Sequence, residues 1–334
     1  MPKVYKLMSF LLIVTMFLTG CQNEPINEIH GAIHRIEHNG NVVYLFGSLH
    51  VGHIDMFPLA PVVEEAMMRA DVFAFEVDFT MGSYSDEQIN ELMTSFIGDW
   101  MNLPGGQRLK DVLPSEIYEN LLYHLPSYDV LYEDVYRMNP VGLSMTLATS
   151  IINEILVEIG LRPEFSVDFY VLNRAQQLGK PIIGLEPTIQ QMNIAFTPDD
   201  YILDIAGFTA FSLEEIFVSS LSDFTSKEDA IEAARGELDL ITFYMENDLQ
   251  QINALMQVDD LYFYDGYFRY SVDVLMNFRS VYYAYEIARL LEESATGTTI
   301  FITVGLSHVM REGEHLTNIV DELTRLGFEV VPIF

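Results

Sequence analysis

Cysteine is nearly absent from this chain: there is one, Cys21, in 334 residues. A disulfide framework, a thiolate metal centre and thiol catalysis in the body of the chain are therefore excluded. Basic residues are scarce as well, with 17 Lys and Arg against 49 Asp and Glu and a formal charge of −32. Such a field repels phosphate backbones and anionic lipid surfaces, so no nucleic-acid partner is expected. The acids are spread along the chain rather than clustered, the pattern of a solvated acidic surface. Long hydrophobic runs are also lacking: beyond the N-terminal segment none approaches the roughly 20 residues of a membrane-spanning helix. What the chain does have is apolar mass, 50% hydrophobic and 12% aromatic, which is enough for a large core and excludes disorder as a class.

The N-terminal segment reads as a bacterial lipoprotein signal. "MPKVYK" carries Lys3 and Lys6, "LMSFLLIVTMFLT" is a short apolar stretch, and "LTGC" ends on the lone cysteine. The expectation is a signal peptide over residues 1–20, lipidation at Cys21, a tether over 21–30 and a single domain over 31–334. That places the protein on the cell membrane, lipid-anchored and facing the extracytoplasmic side.

Within the domain, "GAIHRIEHNGNVVYLFGS" alternates apolar and polar residues on either side of Asn39-Gly40, a strong hairpin signal. The spacing of His30, His34 and His38 would suit a metal-binding helix face, but the hairpin puts them on one solvated face of a strand. "PLAPVVEEAMMRA" then reads as a helix and "DVFAFEVD" as a buried strand, a strand–helix–strand unit. Helical signals dominate residues 85–165, among them "LPSEIYENLLYHL", and again 197–264, where "SKEDAIEAARGELDLITFYMENDLQQINALM" is the clearest run. Between them lie the helix "SVDFYVLNRAQQLG", closed by Gly179, and the buried strand "KPIIGLEP". The chain ends as helix, strand, helix, strand. The fold class is α/β: a central mixed, largely parallel sheet built from both chain ends, with helical insertions walling a cleft at the strands' C-terminal edge.

Each apolar strand ends at a residue able to hold a metal or handle a proton. "VVYLFGSLH" leads to His50, "DVFAFEVD" to Glu76 and Asp78, "KPIIGLEP" to Glu186, and "TIFITVGLSH" to His308. A parallel sheet aligns these ends along the one edge where α/β proteins place their ligands. Two copies of Gly-x-x-His, at Gly47 and Gly305, suggest that each glycine turns the chain sharply and presents its histidine alike. Two imidazoles with one carboxylate form a common divalent-metal set.

These stretches resemble the TraB/GumN family and, through it, the TIKI-type metalloproteases. The resemblance is carried by "VVYLFGSLHVG", "SVDFYVLNRAQQLGKPIIGLEP", "NFRSVYYAYEIARLL" and "TIFITVGLSHVMREGEHLTNIV". It implies His50, His308 and Glu76 as ligands of a Mn, Co or Zn ion. It also implies Glu186 as a proton-transfer residue, Arg279 as a charge stabiliser and Asp168 as a buried orienting group. Where the family usually has an acid, an Asn and a Thr, this chain has His53, Ser280 and Pro187, so His53 and Asp78 stand as secondary ligand candidates. The resemblance points to a membrane-tethered metal-dependent hydrolase, a peptidase acting on a peptide or protein substrate. Its alternatives are a non-catalytic lipoprotein sequestering a peptide signal or haem-like ligand, and an esterase.

Overall fold

The computed structural model describes residues 31–78, 102–138, 161–188, 238–256, 276–310 and 316–333, with a few isolated positions between them. The signal peptide, Cys21, the tether, His30 and most of the two helical insertions lie outside the described residues.

Six strands form one open sheet in the order β4-β3-β5-β2-β1-β6. The hairpin pairs β1 (Ala32–His38) with β2 (Asn41–Ser48) antiparallel, His38 opposite Asn41. Its turn residues Asn39 and Gly40 have φ of 53° and 84°, the left-handed pair that a two-residue hairpin loop requires. From β2 the sheet continues in parallel through β5 (Thr299–Gly305), β3 (Val72–Phe75) and β4 (Ile182–Gly184). On the other side β6 (Val330–Pro332) runs antiparallel to β1. The sheet is thus mixed and mostly parallel. The central place of β5 between β2 and β3 joins the two ends of the chain.

The core forms where the apolar runs predict it. Phe46, Phe73, Phe75 and Phe301 are fully buried, and the Phe301 ring lies 5.8 Å from Phe46 and 5.7 Å from Phe73. Each such side chain contributes roughly 1.5–3 kcal/mol by leaving water. Helix α1 (Pro61–Arg69) starts on a proline at its first position and buries Val63, Ala66 and Met67. A short helix, α2 (Ser115–His124), belongs to a second apolar cluster that includes Leu109, Leu121, Leu125, Tyr128 and Val135. Helix α3 (Val167–Gln177) is capped by the Ser166 hydroxyl and ends before Gly179 at φ 64°.

The helical run "LDLITFYMENDLQQINALM" forms two helices, α4 (Leu238–Met245) and α5 (Leu249–Met256), broken where Asn247 takes a φ of 56°. Two readings of the sequence need correction. The strand "KPIIGLEP" is not fully buried: β4 is the last strand of the sheet and its three residues are only half-buried. His34 is half-buried rather than solvated: among the described residues its Nδ1 has no hydrogen-bond partner, and burial pulls its pKa down to about 4. Helices α6 (Arg279–Glu293) and α7 (Ile319–Arg325) complete the described fold. Among the described residues no helix is long and apolar enough to cross a membrane.

Candidate functional site

The loop after β2 is tied down on both sides. Gly52 exchanges two backbone hydrogen bonds with Arg162, at 3.1 and 2.8 Å, and Val167 N–H donates to the Leu49 carbonyl at 3.0 Å. A Cβ on Gly52 would sit 2.2 Å from the Phe165 carbonyl oxygen, so only glycine lets these segments meet. The consequence is that the first turn of α3 lies against His50. Asp168, 9% exposed, accepts from the His50 Nδ1 at 2.9 Å through one oxygen and from the Ser48 hydroxyl at 2.7 Å through the other. Foremost through that hydrogen bond, Asp168 pushes the His50 pKa up to about 9, although the ring itself is largely exposed. With Nδ1 held, the Nε2 edge is the one turned toward the strand ends.

The opposite histidine is held in the same manner by a different element. Beyond β5, His308 sits in a single helical turn, 2% exposed, with its Nδ1 2.9 Å from the Ser280 hydroxyl. Ser280 lies in the first turn of α6, beside Arg279 and one turn before Tyr283. These three side chains make α6 the second wall of the site.

Arg279 links two strand ends. Its Nη2 lies 2.7 Å from Glu76 Oε2, and its Nε and Nη2 both reach Glu186 Oε1, at 2.9 and 2.7 Å. Tyr283 donates to the same Glu186 oxygen at 2.5 Å and is also hydrogen-bonded to Arg279. The remaining Glu186 oxygen, Oε2, is buried and has no partner among the described residues. Burial, above all, pushes the Glu186 carboxyl up against the opposing pull of Arg279 and Tyr283. Glu76 goes the other way. Burial works to raise it, but His308, Arg279 and the Gly305 N–H, which donates at 2.7 Å, together hold it down at about 2. Gln191 adds a weaker donor at 3.3 Å.

All of this converges on Gly305. A Cβ there would lie 3.2 Å from Glu76 Oε1, 3.6 Å from His50 Nε2 and 3.8 Å from His308 Cδ2. The two imidazoles therefore stand within about 8 Å of each other across a space that glycine leaves open. Neither Gly47 nor Gly305 is among the glycines of positive φ, so the expected sharp turn is not their role. Clearance is: a Cβ on Gly47 would meet Leu306 at 2.7 Å. The donor types are those of a divalent-ion site, a carboxylate ionised at neutral pH and two imidazoles with Nδ1 held. With its pKa at about 9, however, the His50 ring is protonated at neutral pH and must release that proton before Nε2 can bind an ion. The placement of the donors is looser than a coordination sphere, since among the described residues no three His, Cys, Asp or Glu side chains are grouped closely enough to hold a metal ion. Gly305→Ala tests the space directly. A methyl group must displace Glu76 by a few tenths of an ångström, so we expect a stability loss of about 1–3 kcal/mol with the fold kept and no uptake of divalent metal, measured by calorimetry and metal analysis.

Two secondary candidates lie elsewhere. His53 caps its own turn, accepting from the Asp55 N–H at 3.2 Å. Asp78 lines a cavity beside β4. The residues not singled out from sequence are Ser48, Tyr283, Gln191 and Gly52. Of these, Tyr283 was findable: it stands four residues after Arg279 and so shares its helix face.

The TraB/PrgY/gumN family matches residues 32–332, and the chain belongs to it. The uncharacterized protein YbaP of Escherichia coli (strain K12) is 29% identical over 150 residues, 45% of this chain and 50% of its own. The metalloprotease TIKI1 of Danio rerio is 23% identical over 346 aligned positions, 93% of this chain and 65% of its own. The chain thus spans between half and two thirds of these curated relatives. No solved structure matches it.

Proposed function

We propose that this member of the TraB/PrgY/gumN family is a metal-dependent hydrolase of peptides, anchored by lipid at Cys21 on the extracytoplasmic face of the membrane. The observation that carries the proposal is the convergence of His50, His308 and Glu76 from three adjacent parallel strand ends on the open space at Gly305. A distant likeness to a protein named a metalloprotease supports the same class. His50, His308 and Glu76 would hold the ion, which in such a site lowers the pKa of a bound water and polarises a carbonyl. Asp168 and Ser280 fix the ring orientations of the two histidines. Glu186 holds or releases a proton at Oε2, the oxygen that no other described side chain occupies. Arg279 keeps the two carboxylates apart in charge and steadies negative charge developing beside them.

The engagement of Arg279 by two carboxylates favours one competing reading, a non-catalytic lipoprotein that sequesters its ligand, because a guanidinium so paired has less to offer a reacting group. Purified protein titrated with Mn, Co and Zn and then given a mixed peptide library separates the readings. Metal uptake that needs His50 and His308, together with peptide cleavage abolished by chelation, is the expected result. Uptake without cleavage of any peptide would leave the binder.

A further inference from the structure

Among the described residues β4 is an unpaired edge of the sheet. Phe73 N–H donates to the Pro181 carbonyl at 2.9 Å and Leu185 N–H to the Phe75 carbonyl at 2.8 Å, so the odd-numbered residues of this strand face β3. By the alternation of a strand, Ile182 and Gly184 turn their N–H and C=O groups to the opposite side, where among the described residues no strand pairs with them. A cavity of about 470 Å³ runs along that strand, within the roughly 300–1,000 Å³ range of ligand pockets. Its lining follows the chain from Ile182 past Glu186, whose buried side chain belongs to the candidate site. Among the described residues the lining carries the acids Asp78 and Glu286, with Glu186 turned inward and its carboxylate buried, and no Lys, Arg or His. Glu286 also pairs with Arg289 on the exposed face of α6.

We propose that the open edge of β4 takes an extended segment of a peptide substrate as an added strand, with a lysine or arginine side chain of that segment lodged between Asp78 and Glu286. This rests on the reading of the site as a peptide hydrolase and adds how the substrate is held: main-chain hydrogen bonds give affinity, and the acidic lining selects a basic residue. Strand addition delivers the peptide backbone along the axis that ends at Glu186, whatever the flanking sequence. A basic segment is also the one that a chain of charge −32 attracts.

The test is binding in the presence of EDTA, where no cleavage competes. A fluorescein-labelled acetyl-(Val-Lys)4-amide is titrated with the purified chain and followed by anisotropy. Backbone N-methylation at every second residue, on the parity that faces β4, should weaken binding by roughly tenfold or more, because two or more hydrogen bonds are lost, while the opposite parity should leave it unchanged. Ile182→Pro removes an outward N–H and obstructs the edge without touching the bonds to β3, and it should weaken the parent peptide likewise. Glu286→Gln should weaken it several-fold and flatten its salt dependence. Equal binding of both N-methyl series, equal binding of acetyl-(Val-Glu)4-amide, or no binding of the lysine peptide would each overturn the proposal. Should Ile182→Pro fail to fold, the two N-methyl series decide. Register-dependent binding by a metal-loaded chain that cleaves no peptide would remove the hydrolase reading alone, and cleavage indifferent to N-methylation would remove strand addition alone.

Discussion

Arg279→Met should destabilise the protein by about 3–5 kcal/mol, the cost of leaving a buried charge without its partner, and should lower its melting temperature by roughly 10 °C. The guanidinium is 7% exposed and is the described cation shared by Glu76 and Glu186. Without it Glu76 keeps the charge of His308, the Gly305 N–H and the longer Gln191 contact but loses one of its main stabilising charges, and its pKa should rise from about 2. The loss should therefore shrink in acid, where the carboxylate of the variant is neutral. A second arm checks the cause. In Arg279→Met combined with Glu186→Gln the loss should be smaller than in Arg279→Met alone, because the second change removes a carboxylate that the first leaves without its cation. Additive losses in thermal or denaturant unfolding would mean that Arg279 stabilises the fold through its contact with the Tyr283 ring, 5.2 Å from the guanidinium carbon, rather than through the carboxylates.

The difference between what could and could not be read from the sequence follows the range of the interactions. The strands were legible because "VVYLFG", "VFAF" and "TIFITVG" are apolar runs whose burial does not depend on the partner chosen. Their parallel order followed from the helices between them, and with it the meeting of His50, Glu76, Glu186 and His308 at one edge. The residues that hold those groups were harder to read, since each depends on one particular approach of two elements. Ser48 reaches Asp168 across 120 positions, and its hydroxyl looks like any strand-end serine until α3 is seen against it. Tyr283 is one of 18 tyrosines, and an aromatic at helical spacing reads as core until Glu186 is found beneath its hydroxyl. The glycines were found for an incomplete reason. Gly-x-x-His was visible, but whether a glycine is needed for its backbone angle or for the space it leaves cannot be told from a motif, and at Gly47 and Gly305 it is the space. The break at Asn247 was invisible because the apolar spacing of α4 and α5 runs through it with little change of phase.

Two carboxamide substitutions a few ångströms apart should give opposite results. In Glu186→Gln the new carbonyl can accept at the Oε1 position from Arg279 and Tyr283, and the new NH2 takes the place of Oε2, which has no partner among the described residues and which burial favours in its protonated form. Shape and hydrogen bonds are nearly conserved, so melting temperature and metal content should hold. What is lost is the capacity to exchange a proton, and hydrolysis should fall by roughly 10²–10⁴-fold. In Glu76→Gln the amide cannot serve both sides. One oxygen position accepts from Gly305 N–H and the other from Arg279, so the NH2 must face a donor whichever way it is turned. That variant also loses the negative charge standing between His50 and His308, and both metal affinity and stability should fall with activity. Metal content, turnover and melting temperature measured on the two proteins decide the assignment. If Glu186→Gln hydrolyses peptides at the parent rate, Glu186 is a structural partner of Arg279 and the proton donor must be sought at Tyr283 or in solvent. If Glu76→Gln retains its full metal complement, the ion is held without that carboxylate and Glu76 is not a ligand.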